Sequence, residues 1–141
     1  MKKRLVPQLT IFIICMFTFA CSETKIPDAM DHFKRGNQFF LGHSFGIAID
    51  EYKSAIAIDP TQAVFFYNLG LTLYTVQRFT DAIEAYQTAL EINPNLKESW
   101  YNLSLALYHV GKTDEATIAH ETYLKFRRND YKPKSQASST N

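Results

Sequence analysis

Cysteine is scarce in this sequence, and its two copies, Cys15 and Cys21, both lie within the first 21 residues. The rest of the chain therefore has neither a disulfide framework nor a cysteine-based metal site available to it. The four histidines offer no substitute, because they lack metal-ligand spacing and no acidic cluster surrounds them. They are His32, His43, His109 and His120. We expect neither a metal nor a cofactor.

Catalytic motifs and an excess of one charge are also missing. The five glycines form no phosphate-binding loop and no nucleophile motif occurs, so we predict that the chain is not an enzyme. The net charge is +1, and subtracting the three cations of the first twenty residues leaves −2 for the remainder. A nearly neutral remainder creates no field that attracts nucleic acid, so we expect no nucleic-acid partner.

The first twenty residues have the layout of a secretory signal peptide. A short basic start at residues 2–4 precedes a mainly apolar stretch over residues 5–20, and polar residues follow. The uninterrupted apolar part is about ten residues long, whereas a bilayer-spanning helix needs about 20. We therefore predict that residues 1–20 are a signal peptide, with a retained membrane anchor as the alternative.

Cys21 follows a small residue at the end of this segment, which resembles the lipobox of bacterial lipoproteins. The match is incomplete, because Thr18 and Phe19 stand where that family prefers leucine and a small residue. The resemblance implies that acyl chains such as palmitate are attached to Cys21, that residues 21–27 form a short tether, and that the protein is held in the bacterial cell envelope. Ser22 is compatible with the outer membrane. The alternative is ordinary cleavage, which gives a secreted or periplasmic protein.

A period of 34 residues runs through the rest of the chain. Pro60 and Pro94 lie 34 positions apart, and each closes an apolar, periodic stretch. Shifting the chain by 34 also aligns three further sets, which are Ala48, Ala82 and Ala116, then Gly36, Gly70 and Ser104, then Tyr52, Tyr86 and His120. So many matches at one offset predict three repeats, at about residues 29–62, 63–96 and 97–130.

The repeated unit resembles the tetratricopeptide repeat (TPR). The second unit carries the pattern most fully, in Phe66, Leu69, Gly70, Ala82, Tyr86, Ala89 and Pro94. The end units drift from it: His32 replaces an aromatic residue in the first, and Ser104 replaces glycine in the third. The resemblance implies an all-α, right-handed superhelix of three helix-turn-helix repeats over residues 28–130. We expect His120 to fill the aromatic slot between helices, and residues 131–141 to form a disordered polar tail.

Six helices follow from the apolar periodicity and the helix-capping residues. Asp28 and Asp81 are predicted to start helices, Pro60 and Pro94 to stop them, and Gly111 to end the fifth helix. The predicted helices span about residues 28–41, 46–58, 62–76, 80–92, 96–110 and 113–128.

In the TPR family, the first helix of each unit lines a concave groove that holds an extended peptide or a partner helix. Carried over by position, the groove here has one aromatic row of Phe33, Tyr67 and Tyr101, a second of Phe40, Tyr74 and Tyr108, and a middle row of Asn37, Leu71 and Leu105. Its edges carry Thr75 and His109 on one side and Met30, Val64 and Glu98 on the other. We expect at least half of the six aromatic side chains to be exposed and to contact a protein partner.

One TPR subclass grips the C-terminal carboxylate of its ligand through lysine and arginine in the groove. Here the corresponding positions hold Phe33, Glu98 and Asn102, and only Asn37 and Asn68 fit that subclass. An apolar or aromatic peptide, or a partner helix, is therefore the expected ligand.

These expectations combine into a membrane-tethered adaptor or assembly factor. Two alternatives remain open. One is a homo-oligomeric structural protein of the envelope. The other is a peptidoglycan- or lipid-binding module that uses the basic C-terminal end, which comprises Lys125, Arg127, Arg128, Lys132 and Lys134.

Overall fold

The computed structural model describes residues 27–129, which form six α-helices and no strand. The helices are α1 Ala29–Leu41, α2 Phe45–Ile58, α3 Ala63–Thr75, α4 Phe79–Ile92, α5 Lys97–His109 and α6 Thr113–Arg127. The prediction of an all-α fold of helical repeats is confirmed, and every helix bound lies within one residue of its predicted position. The predicted signal peptide, Cys21 and the polar tail lie outside the described residues.

The helices pack in chain order as three antiparallel hairpins. Each helix contacts the next one, and α1 also contacts α3, as α3 contacts α5. Because the first helices of successive hairpins touch, they lie side by side and form one common face. The second helices, α2, α4 and α6, lie behind them.

The helix ends agree with two of the predicted capping residues. Asp28 is the N-cap of α1, since its side chain accepts a hydrogen bond from the backbone N–H of Asp31 at 2.8 Å. The Asp31 side chain in turn accepts one from the backbone N–H of Asp28 at 3.3 Å. Gly111 follows the end of α5 with φ +79°, a left-handed conformation that glycine adopts without strain. The prediction for Asp81 is wrong. Helix α4 begins at Phe79, and Asp81 lies in its first turn, where the carboxylate complements the helix dipole.

Two tyrosines fill the space between the helices of the first two hairpins. Tyr52 is 1% exposed and lies against Gly36, while Tyr86 is 0% exposed and lies against Gly70. A Cβ atom added at Gly36 would come within 2.6 Å of the Tyr52 ring, and one at Gly70 within 2.7 Å of the Tyr86 ring. Any side chain larger than hydrogen would therefore push the ring out of its place.

The third hairpin lacks this arrangement. Ser104 stands where the other units have glycine, and His120 is exposed, with its ring 6.3 Å from that of Tyr101. The prediction that His120 fills a buried slot is therefore wrong. The physical reason is that, within residues 27–129, no helix follows α6 to cover the slot from the far side.

The hydrophobic core of the described residues consists of two clusters. One large cluster extends from Ala48 to Ala119, and a smaller one joins Ala29, Ala55 and Phe65. Phe33 and Ile56 pack against both clusters and connect them. A fragment that begins at residue 22 keeps all of these contacts, and it is the form used in the binding experiments below.

Replacing Gly70 with alanine is expected to destabilise the fold, although alanine favours a helix by about 1 kcal/mol over glycine. The added methyl group would meet the fully buried ring of Tyr86, and overpacking of this kind costs about 1–3 kcal/mol. We expect guanidinium chloride unfolding to show a net loss on the order of 1 kcal/mol.

Gly46→Ala provides the matched control, because nothing lies within 4 Å of a Cβ atom added at this exposed position of α2. This change should raise the free energy of unfolding by about 0.5–1 kcal/mol. Equal gains at Gly46 and Gly70 would contradict the close helix approach described here.

Candidate functional site

The concave face formed by α1, α3 and α5 is the candidate site. All nine residues predicted to line the groove lie on these three helices. Their register is set by the 34-residue period, which places equivalent turns of successive first helices beside one another. Side-chain contacts then join each first helix to the next across the floor of the groove.

Asn37 connects the first two units. Its Oδ1 atom accepts a hydrogen bond from the Tyr52 hydroxyl at 2.8 Å and another from Nδ2 of Asn68 at 3.0 Å. Burial raises the pKa of Tyr52 to about 12, so the hydroxyl remains a donor at neutral pH. The acceptor of Asn37 is thus used within the protein, and this side chain holds the groove floor together.

Tyr67 connects the second and third units. Its hydroxyl accepts a hydrogen bond from Nδ2 of Asn102 at 3.3 Å. Burial raises the pKa of Tyr67, and the negative charge of Glu98 raises it further, while the bond from Asn102 acts in the opposite direction. Tyr67 is half-buried, and its hydroxyl is bonded to α5.

The exposure of the aromatic rows increases toward the third unit. Tyr101 is 40% exposed and Tyr108 is 69% exposed. The other four predicted aromatics, Phe33, Phe40, Tyr67 and Tyr74, are half-buried. The expectation that at least half of the six are exposed is therefore wrong. Phe33 packs on Phe65 of α3, Tyr67 and Tyr74 contact α5, and Phe40 packs edge-on against Phe45 of α2. No helix follows beside α5 within residues 27–129.

A recess of about 330 Å³ lies in the groove between α1 and α3. Its walls include Phe40 and Leu71, with Tyr52 and the two asparagines Asn37 and Asn68. Leu41, which is 77% exposed, also lines the recess. Sequence reasoning missed Leu41, although the repeat period makes it equivalent to the predicted edge residues Thr75 and His109.

The far edge of the groove is a cluster of rings. The His109 imidazole stacks on Phe79 with centroids 4.3 Å apart, and its Nε2 atom lies 3.0 Å from the hydroxyl of Tyr74. Tyr74 in turn packs edge-on against Phe79 at 5.3 Å. This cluster holds the ends of α3 and α5 together and leaves Tyr108 as the protruding side chain of the row.

One buried hydroxyl behind the groove has no partner. The Tyr86 hydroxyl makes no hydrogen bond to any described residue. Leu71 occupies the position that corresponds to Asn37 one repeat earlier, and leucine offers no acceptor. Burial raises the pKa of Tyr86, with the neighbouring Tyr67 and Tyr74 adding to the effect. Tyr52 and Tyr86 thus occupy equivalent places in the first two units, but only the hydroxyl of Tyr52 has a hydrogen-bond partner among the described residues.

A separate polar cluster of His32, Arg35 and Glu51 joins the two helices of the first hairpin. Arg35 donates from Nε and Nη2 to Oε2 of Glu51 at 3.1 and 3.0 Å, and Nδ1 of His32 lies 2.7 Å from the same oxygen. Burial alone would raise the pKa of Glu51, but the bonds to His32 and Arg35 and the Arg35 charge together lower it. The leucines equivalent to Arg35, which are Leu69 and Leu103, are buried. The charged cluster therefore lies on a surface of the first unit whose counterpart in the later units is buried.

Within residues 27–129, no group of three or more His, Cys, Asp or Glu side chains is arranged to hold a metal ion. None of the six helices described is both long enough and apolar enough to cross a bilayer.

Three family models for the tetratricopeptide repeat match the chain. They cover residues 36–77, 63–96 and 85–117, and so overlap into one continuous stretch. A comparison with curated protein sequences gives no significant match.

Solved structures of TPR proteins share the fold. The second TPR domain of Spaghetti (RPAP3), bound to the HSP90 peptide SRMEEVD, is 26% identical with a TM-score of 0.68, over 69% of this chain and 90% of that one. The first TPR domain of the same protein, also bound to this peptide, is 22% identical with a TM-score of 0.70, over 74% and 82%. MamA is 27% identical with a TM-score of 0.70, over 74% of this chain and 62% of its own.

Removing the hydroxyls of Tyr52 and Tyr86 separately should have different effects on the free energy of unfolding. Tyr52→Phe loses the bond to Asn37 and should lower the free energy of unfolding by about 1 kcal/mol. Tyr86→Phe removes a buried hydroxyl without a partner, so it should leave stability unchanged or raise it by up to about 1 kcal/mol. Chemical unfolding of the two variants measures this difference, and an equal loss in both would contradict the assigned contacts.

Proposed function

Because the chain belongs to the tetratricopeptide repeat family, we propose that it binds a segment of another protein on the concave face of α1, α3 and α5. The observation that carries this proposal is the exposure of Tyr101 and Tyr108 on α5, on the same concave face that holds the recess between α1 and α3. Tyrosines of this kind are frequent anchors in protein interfaces, because they combine a large apolar area with a hydrogen-bonding tip. TPR proteins are in general binding scaffolds rather than enzymes, and we propose no catalytic role here.

The chemistry of the groove favours an apolar or aromatic segment as the ligand. The Spaghetti domain binds a peptide with an acidic end. In this chain the positions that the carboxylate-binding subclass fills with lysine and arginine hold Phe33, Glu98 and Asn102. Asn102 is also bonded to Tyr67. A ligand that offers apolar side chains to the recess and to the Tyr108 row fits these surfaces better than one with a free carboxylate.

We also propose that lipid on Cys21 tethers this adaptor to the membrane of the cell envelope. The support is the lipobox-like segment before Cys21 and the short distance along the chain to α1, which begins at Ala29. At about 3.3–3.6 Å per residue, a tether over residues 21–27 reaches roughly 20 Å. The adaptor would thus present its groove close to the membrane surface.

Changing Tyr101 and Tyr108 together to alanine should abolish capture of the partner. The fragment of residues 22–141 would be used as bait against solubilised cell envelope, and cross-linked mass spectrometry would identify the protein retained. Tyr108 is 69% exposed and Tyr101 is 40% exposed, so neither belongs to the buried core and the double variant should remain folded by circular dichroism. We expect at least a tenfold loss of the captured protein, which corresponds to about 1.4 kcal/mol.

Ile47→Ala/Ile118→Ala is the matched control, because both isoleucines are exposed large apolar side chains on the second helices, behind the groove. This control should capture the partner as the parent does. The groove proposal fails if the control loses the partner and the tyrosine variant keeps it. Recovery of nothing but further copies of the same chain would instead favour a homo-oligomer.

The tether is tested separately in cells fed an alkyne analogue of palmitate. The full chain should incorporate the label, and Cys21→Ala should remove it and shift the protein from the membrane fraction to the soluble fraction. Cys15→Ala controls for the second cysteine and should leave labelling unchanged. Labelling that survives the loss of Cys21 would refute lipidation at this residue.

A further inference from the structure

Charged side chains are few on the concave face: Glu98 lies at its near edge in the third unit, and Lys34 occupies the position equivalent to Asn68 and Asn102 in the first unit. The groove positions of the three units are otherwise occupied by aromatic, aliphatic, amide and hydroxyl side chains, with His109 at the far edge. The Glu98 carboxylate is about half exposed, so it acts on a ligand through direct contact rather than through a long-range field. The sign of its charge therefore bears on which ligand side chains the third unit accepts.

Glu98 lies near two tyrosines, because Asn102, one helical turn after it on α5, donates a hydrogen bond to the Tyr67 hydroxyl at 3.3 Å, and Tyr101 is on α5 itself. Glu98 occupies the first turn of α5, and Tyr101 follows one turn later on the same side of the helix. Tyr67 on the neighbouring α3 is close enough for the carboxylate to disfavour ionisation of its hydroxyl. The carboxylate is about half exposed, and Tyr101 is 40% exposed, so both are accessible to a ligand in the groove.

Internal partners leave this carboxylate available. Nζ of Lys97 lies 3.9 Å from Oε1 of Glu98, but both side chains are more than half exposed. An exposed pair at that distance contributes little, typically about 0–1 kcal/mol. Lys34 is the other cation at a repeat position of the concave face, but it lies on α1, and α3 stands between α1 and α5. The Asn102 amide is committed to Tyr67.

We infer that Glu98, Tyr67 and Tyr101 form a subsite for a cationic side chain, arginine or lysine, of the bound partner segment. The carboxylate pairs with the cation through charge-assisted hydrogen bonds, and the Tyr101 ring attracts it through its π face. The inference rests on the proposed function and adds the ligand class to it. The groove takes an apolar segment with one basic residue placed beside the third unit, and it disfavours an acidic residue there.

A peptide selection tests the subsite without knowledge of the natural partner. A phage-displayed library of random dodecapeptides would be selected on the fragment of residues 22–141, and separately on its Glu98→Lys variant. Peptides kept for analysis are those that lose binding to Tyr101→Ala/Tyr108→Ala. We expect arginine or lysine at one recurring position with the parent, and aspartate or glutamate at that position with Glu98→Lys.

A double-mutant cycle then measures the pairing itself. The best peptide would be resynthesised with its arginine replaced by citrulline, or its lysine by norleucine, which removes the charge at nearly constant size. This change should weaken binding to the parent about five- to tenfold and to Glu98→Gln less than twofold. Glu91→Gln, an exposed carboxylate on α4, is the control and should behave as the parent does.

The outcomes separate the subsite from the proposed function. Peptides that depend on the groove tyrosines but show no basic preference, or lose equal affinity with the parent and with Glu98→Gln, would overturn the subsite alone. A selection that returns no peptide dependent on Tyr101 and Tyr108 would overturn peptide binding in the groove, and the subsite with it.

Discussion

The close packing of a tyrosine ring against a glycine backbone organises each of the first two hairpins. With Gly36 beneath Tyr52 and Gly70 beneath Tyr86, the two helices of each hairpin approach as far as the ring permits. The packing occurs twice, 34 residues apart, and the first helices α1, α3 and α5 contact one another in order. The shape of the groove thus depends in part on contacts made behind it, and the Tyr52 ring also forms part of the wall of the recess.

The first and third units differ, and this difference explains why the exposure of the groove residues changes along its length. At the first unit, Arg35 and Glu51 form an ion pair where later units bury leucine and alanine against a neighbour. At the third unit, His120 is solvent-exposed and Tyr101 is covered only in part. Terminal repeats of solenoid proteins commonly depart from the pattern of internal ones, because one of their faces meets solvent. The most accessible anchors and the one acidic groove residue, Glu98, consequently lie toward the same end of the groove.

The sequence predicted the fold closely, because the 34-residue period and the helix-breaking residues are local signals. Helix bounds came within one residue for that reason. What could not be predicted depends on neighbours in space. Tyr67 and Tyr74 are half-buried because α5 packs beside them, while His120 is exposed because nothing described packs beyond α6. The unpaired hydroxyl of Tyr86 likewise becomes visible only when Leu71 is seen to occupy the place of Asn37. The groove residues remain a prediction until a ligand is found.

The most direct test of the central claim is site-specific photo-cross-linking in living cells. A photoreactive phenylalanine analogue would replace Tyr108 in the groove or, as the comparison, Ile118 on α6, both of which are strongly exposed. A groove-binding adaptor predicts a discrete adduct with another protein at position 108 and none at position 118. An adduct at position 118 alone, or none at either position under conditions where both variants are folded, would contradict the account.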